Sequence, residues 1–293
     1  MSGHAPPKTA FLNEGEASSF KKASEKEGDI VAKAIMVQGT ASGVGKTILT
    51  LALCRIFKQD GHITAPFKAQ NMTGSTCAAQ DGHDEIAVSQ WLQAKAAGAV
   101  PRKDMNPIVV KPHCVQTISP AEKLEAIMAA YQRLCDGHDI IVIEGAGSPV
   151  ELNLNHDDMV NMGMARRAGA PVLLVSDIDR GGIFAALYGT VNLMQGWERA
   201  QVKAGIVNRF RGDTALFADG VKILEEITNL PVAGVVPHFS INLPEEDALF
   251  ENGVDFDAGQ DFEKEFDRIA DIVRKSLDMN LIYRILNEGG RTK

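Results

Sequence analysis

The stretch Gly39 to Thr50, "GTASGVGKTILT", follows the apolar run "AIMVQ" and contains a Gly-Lys-Thr triplet. A strand that ends in a glycine-rich turn and opens a helix aims several backbone N–H groups, and the positive end of the helix dipole, at one point. A chain of phosphates fits there. In that setting Lys46 reaches the β- and γ-phosphates of a nucleotide and the Thr47 hydroxyl ligates Mg2+. The spacing departs from the usual G-x-x-x-x-G-K-S/T form: the first glycine belongs at position 40, where Thr40 stands, and Gly39 lies one place earlier. A glycine-rich turn with a chance Gly-Lys-Thr is the bland alternative, and the strand before and helix after argue against it.

Two more residues stand just after apolar runs. "DIIVIEGAG" ends its run at Glu144. An acid at the tip of a neighbouring strand is where a phosphate-loop protein holds Mg2+ or its water. The glycines at 145 and 147 permit close backbone approach to a ligand. "APFKAQNM" presents Lys68 beside Gln70 and Asn71. A lysine there can neutralise a transferring phosphoryl group or bind a substrate carboxylate, although most lysines are simply solvated.

The elements that must position these groups follow from the pattern of apolar runs. "AIMVQ", "ITAPF", "PIVVK", "DIIVIEG", "PVLLVSD", "AGIVN" and "PVAGVVP" alternate with helical stretches at Lys46–Asp60, Glu85–Gly98, Ala121–Cys135, Asp157–Ala168 and Ala215–Thr228. Short runs without polar alternation read as strands buried on both faces. Their alternation with helices predicts an α/β phosphate-loop fold, a mostly parallel sheet with helices on both faces, whose ligands bind at the carboxyl ends of the strands. Phe262 to Leu286 reads as one or two closing helices. Residues 1–33 are polar and expected to be a tail, leaving one domain over 34–293.

Composition bounds the function. The chain has 293 residues, 45% of them hydrophobic, and a net charge of −8. That is enough for a sizeable core, and the acidic balance argues against general nucleic-acid binding. Cys54, Cys77, Cys114 and Cys135 lack metal or disulfide spacing,. No apolar run reaches the ~18 residues of a membrane span and no signal peptide is apparent, so the expected protein is soluble and cytoplasmic, with no membrane partner. The histidines form no spaced cluster and no G-x-S-x-G turn is present.

Taken in order, "MVQGTASGVGKT", "APFKAQNM", "DMNPIVVKP", "VIEGAGSPVELNL", "DMVNMGMA", "VSDIDRGGIFA", "VNRFRGD" and "GVVP" resemble the ATP-dependent synthetase domain of cobyric acid synthases, glutamine-dependent amidoligases of cobalamin synthesis. The likeness runs from about Ile35 to Leu286. It accounts for the shifted glycine, since this family and the related dethiobiotin synthetases use the form G-T-x-S/T-x-V-G-K-S/T. The resemblance implies a cradle of Gly39, Thr40, Ser42, Gly43, Val44, Gly45, Lys46 and Thr47. It also implies Asn208 as an adenine contact, Glu85 as a second acidic Mg2+ contact beside Thr47 and Glu144, and Asp177, Asp179 and Arg180 near the substrate. The implied reaction moves the γ-phosphate to a carboxylate of a polycarboxylate, a corrinoid in the family, and ammonia then displaces phosphate. Lys46, Lys68 and Lys111 are the cations available to bring two anions together.

Two departures qualify the likeness. Family members usually continue into a glutaminase domain with a G-x-C-x-G nucleophile, and none of the four cysteines here has that context,. The expectation is a separate glutaminase partner or free ammonia. The segment after Lys111, "PHCVQTISP", is shorter than the family's, which leaves the substrate open. A homodimer is also left open. The rival reading is a phosphate-loop ATPase acting on another carboxylate or switching partners, as partitioning and metallochaperone ATPases do. Such switches often carry a second lysine early in the loop, where Gly39 and Thr40 stand here. A dethiobiotin-synthetase-like carboxylase would share the loop but not "DMNP" or "FKAQNM".

Overall fold

In a computed structural model of the chain, the described residues are 32–79, 82, 84–111, 118–153, 158–245 and 256–289. The expected tail lies outside them up to residue 31, as does most of the short segment after Lys111, with Cys114. In chain order the elements are β1 (Lys33–Gly39), α1 (Lys46–Gln59), β2 (Thr64–Phe67), β3 (Gln70–Met72), β4 (Thr76–Ala78), β5 (Glu85–Ala87), α2 (Val88–Ala97), β6 (Ile108–Val110) and α3 (Pro120–Cys135). They continue with β7 (Ile140–Glu144), α4 (Met162–Ala168), β8 (Val172–Asp177), α5 (Ile183–Leu193), α6 (Gly196–Gln201), β9 (Val202–Phe210), α7 (Ala218–Thr228), β10 (Val232–Pro237), α8 (Glu263–Ser276) and α9 (Met279–Glu288).

Six strands form one sheet in the order β10-β9-β8-β1-β7-β2, every neighbouring pair parallel. Successive residues of a strand face opposite sides of a sheet, so a run buried at every position needs cover on both. β7 and β8 are buried throughout and β1 at all but its first residue. α1 supplies part of that cover, packing on α2 and α8, while α5 packs on β8 and α7. The register sets the carboxyl ends side by side: Val37 opposes Glu144, Gly39 opposes Val175, and Asp177 opposes Asn208. All the residues singled out above except Glu85 and Lys111 therefore come from one edge of the main sheet or the loops leaving it.

Four elements differ from the sequence expectation, each for a local reason. "PIVVK" forms β6, which pairs with β3 outside the main sheet. Asn106 fixes it there: its Nδ2 donates to the Lys68 carbonyl at 3.0 Å, and Lys68 N donates to Met105 O at 2.8 Å. Glu85 to Ala87 extend as β5 against β4, so α2 starts only at Val88. α4 begins at Met162 because the Asp158 carboxylate accepts from the N–H groups of Val160, Asn161 and Gly163, a local bond that competes with helix. A 3-10 turn, Thr214–Phe217, precedes α7, its start capped by the Asp213 carboxylate, which accepts from Ala215 N.

α3 carries the strongest sequence-coded start. Ser119 accepts from Glu122 N, the Glu122 carboxylate accepts from Ser119 N, and Pro120 occupies the first turn,. The closing stretch resolves into α8 and α9. Phe266, Ile269 and Val273 bury the inner face of α8, and no helix among the described residues is long and apolar enough to cross a membrane.

Candidate functional site

The glycines explain the loop's shape. Gly39 is the last residue of β1, and a Cβ there would meet Val44 Cγ2 at 2.6 Å and Lys46 Cδ at 3.0 Å. The missing side chain lets the loop fold back over the strand end. Gly45 has φ 101°, and a Cβ on it would lie 2.1 Å from Asn208 Nδ2. Asn208 Nδ2 donates to the Val44 carbonyl at 2.8 Å, tying β9 to the loop. The N–H groups of Ser42, Gly43, Val44 and Gly45 have no hydrogen-bond partner among the described residues, so an anion would find donors ready. Thr40 Oγ1 shares a hydrogen bond of 3.0 Å with Ser176 Oγ on β8.

Lys46 and Thr47 open α1. Lys46 Nζ donates to Ala41 O and Gly147 O, each at 2.9 Å, and so bridges the loop and the turn after β7. Burial lowers the Lys46 ammonium to about 8, Lys68 adding to the shift and Glu144 opposing it. Thr47 Oγ1 donates to Glu144 Oε1 at 2.9 Å. Lys68, immediately after β2, pairs with the same oxygen at 2.9 Å. Burial by itself would push the Glu144 carboxyl up. The Lys68 charge and the hydrogen bonds from Lys68, Gln93 and Thr47 outweigh it and hold the group below its ordinary 4.5,.

The structure thus brings Lys46, Thr47, Lys68 and Glu144 into one cluster, with the cradle around them. A hydroxyl and an ionised carboxylate are hard oxygen donors of the kind Mg2+ takes, and the unpartnered N–H groups suit phosphate oxygens. The residues present fit both groups.

Other expected residues lie apart. Glu85 pairs with Lys111 at 2.7 Å and accepts from Thr76 Oγ1 at 3.1 Å. The Lys111 contact is the main reason its carboxyl is lowered, and no hydrogen bond joins it to the Glu144 cluster among the described residues. Asp177 accepts from Arg209 at 3.0 Å, and Asp179 is held by both Nε and Nη2 of Arg211. Arg180 is exposed, with no ion pair among the described residues.

Three side chains that sequence reasoning passed over build the site's walls. Asn161 clamps the turn after β7: Ala146 N donates to its Oδ1 at 2.8 Å, and its Nδ2 donates to Ala146 O at 2.8 Å and Ser148 O at 3.2 Å. That turn carries Gly147 O, the Lys46 acceptor. Gln93 Nε2 donates to Glu144 Oε2 at 2.6 Å, with Gln90 Nε2 at 3.4 Å. The available signal was the pair of glutamines three apart in "VSQWLQAKAA", a spacing that puts both on one face of α2. Both are wholly buried.

A parallel sheet, a glycine-rich loop at the end of its central strand, a Lys-Thr pair opening the next helix and an acid ending the adjacent strand define a P-loop nucleotide-binding fold. The chain belongs to the AAA domain family, whose match covers residues 33–242. It is similar to the cobyric acid synthase of Listeria monocytogenes serovar 1/2a, 45% identical over 248 residues, covering 76% of this chain and 47% of the relative. It is 48% identical over 244 residues to the cobyric acid synthase of Lachnoclostridium phytofermentans, covering 75% and 47%. The chain spans about half the length of the curated relatives it matches. Among solved structures, the MinD cell division protein of Aquifex aeolicus aligns with a TM-score of 0.43 at 14% identity over 84% of this chain and 98% of that one.

Proposed function

We propose that the chain is an ATP-dependent amidoligase synthetase that activates carboxylates of a corrinoid-type polycarboxylate as acyl phosphates for attack by ammonia, in cobalamin biosynthesis. The observation that carries this reading is the cluster at the strand ends, in which Lys46 and Lys68 flank the Glu144 carboxylate and the Thr47 hydroxyl. The similarity to cobyric acid synthases supports it.

The physical problem is to bring a carboxylate to a γ-phosphate, two anions, and to turn a carboxylate oxygen into a leaving group. The loop N–H groups and Lys46 hold the phosphates, which fixes the γ-phosphorus in line for attack. Thr47 and Glu144 would hold Mg2+, which supplies charge neutralisation at the phosphate oxygens. Lys68 has two tasks: it balances Glu144, and its ammonium lies where it can swing toward the incoming carboxylate. The substrate oxygen forms a bond to phosphorus as the bond to ADP breaks. Ammonia then adds to the acyl carbon, and phosphate departs with that oxygen.

Asn208 is the adenine contact of this reading. In this reading Asp179 and Arg180 would contact the substrate, and Glu85 would become a second acid for the metal once it leaves Lys111. Ammonia, free or released by a glutaminase, supplies the nitrogen, and the protein works in the cytoplasm.

The test incubates the protein with MgATP, ammonium chloride and adenosylated cobyrinic acid a,c-diamide, following ADP and product mass. ADP formed in step with amide supports the reading. ATP turnover indifferent to this and related polycarboxylates would sink it.

A further inference from the structure

We propose that Gln93 is a positioning residue for the Glu144 carboxylate, holding its second oxygen so that the first stays directed at Thr47 and the metal side of the site. The inference rests on the reading above and names a residue that reading does not use.

Glu144 divides its oxygens between two sets of partners. Oε1 accepts from Thr47 Oγ1 and Lys68 Nζ, both at 2.9 Å. Oε2 accepts from Gln93 Nε2 at 2.6 Å, with the longer contact from Gln90. Gln93 Nε2 also donates to the Thr47 carbonyl at 3.2 Å. Both amide protons are therefore spent, one on the carboxylate and one on the first turn of α1. Gln93 thereby ties the carboxylate to the first turn of α1 from its place on α2.

The orientation of this amide is forced. Flipping it would set Oε1 against a carboxylate oxygen and a carbonyl, three acceptors with no proton between them. In the observed orientation Oε1 is buried without a hydrogen-bond partner among the described residues, a cost a folded chain rarely accepts without return. Gln90 is fixed in the same sense, since its Oε1 accepts from Asn71 Nδ2 at 3.0 Å and Ser89 Oγ at 3.1 Å, which turns its nitrogen toward Glu144. Lys68 already sets one cation against Glu144, and a lysine in place of Gln93 would add a second, whereas an amide directs the carboxylate without adding charge.

The experiment measures, by calorimetry, binding of the non-hydrolysable analogue AMPPNP to the full chain with MgCl2 and, separately, with EDTA. Wild type is expected to bind more tightly with Mg2+. Gln93→Met, equal in length and without donors, is expected to lose roughly tenfold of that gain while its affinity in EDTA stays within about twofold. Gln93→Leu serves if the Met variant does not fold. A folded variant that keeps the full Mg2+ gain overturns the proposal, as does an equal loss with and without Mg2+, which marks damage to the loop. Wild type with no Mg2+ gain defeats the metal-dependent reading itself, and is recognised because it appears before any substitution.

Discussion

Lys46 must be charged to hold phosphate, yet it sits where burial opposes charge. Its ammonium is lowered to about 8 by burial, with Glu144 pulling the other way. The free protein therefore loses this cation as pH rises through about 8, and nucleotide affinity falls above that point. Calorimetry between pH 7 and 9 should register the decline, and affinity that stays flat would contradict it. Glu144 is the complementary case. Its folded value is depressed, so its stabilising contribution is complete above the ordinary 4.5 and is lost as pH falls through the folded value,. Glu144→Gln removes the charge that Lys68 balances. It should destabilise the fold by about 3 kcal/mol at neutral pH, flatten the acid limb of the stability curve, and reduce turnover about 100-fold. Urea unfolding across pH 3 to 7 and steady-state kinetics check both halves. Lys68 and Glu144 were legible in the sequence because each is a charged residue at the end of an apolar run, and Lys46 because it stands in the Gly-Lys-Thr of a glycine-rich loop between strand and helix. Gln93 and Asn161 were not, because their meaning depends on partners 51 and 15 residues away that only the tertiary fold supplies.

At the scale of elements, the loop is a piece of backbone geometry before it is a set of side chains. The glycine that looked misplaced is the one residue that lets β1 end beneath Val44 and Lys46. Gly45 carries a second constraint, a positive φ of 101° with Asn208 pressed against its Cα. Gly45→Ala should cost about 1–3 kcal/mol in stability through backbone strain and push Asn208 off the Val44 carbonyl. Nucleotide affinity should drop at least tenfold, a figure of the order expected when 1.4 kcal/mol is lost. Thermal unfolding and calorimetry on the same sample measure the two effects, and an Ala variant with wild-type values would show that the loop relaxes freely. The strands of the main sheet were readable because burial on both faces leaves an unbroken apolar signature. β6 misled for the same reason. "PIVVK" has that signature, but the Asn106 clamp on Lys68 holds it beside β3, and Val109 and Val110 end up only half-buried. β5 and the late start of α4 escaped because pairing with β4 and the Asp158 turn override local helical preference.

For the whole molecule, the register of one parallel sheet determines what chemistry is available. Strand ends at Gly39, Phe67, Glu144 and Asp177 align, so residues as far apart as Thr40 and Ser176, 136 positions, meet at one edge of the sheet, as open α/β sheets dictate. A net charge of −8 makes the local gathering of Lys46 and Lys68 the feature that admits anionic ligands. The central claim is that phosphate passes to a carboxylate oxygen, and isotope transfer tests it most directly. Adenosylated cobyrinic acid a,c-diamide labelled with 18O in its free carboxylates is incubated with the protein, MgATP and ammonium chloride, and the inorganic phosphate is analysed by mass spectrometry. The account predicts one 18O in each phosphate released with an amide. Phosphate carrying no label, with ATP consumed, would contradict it.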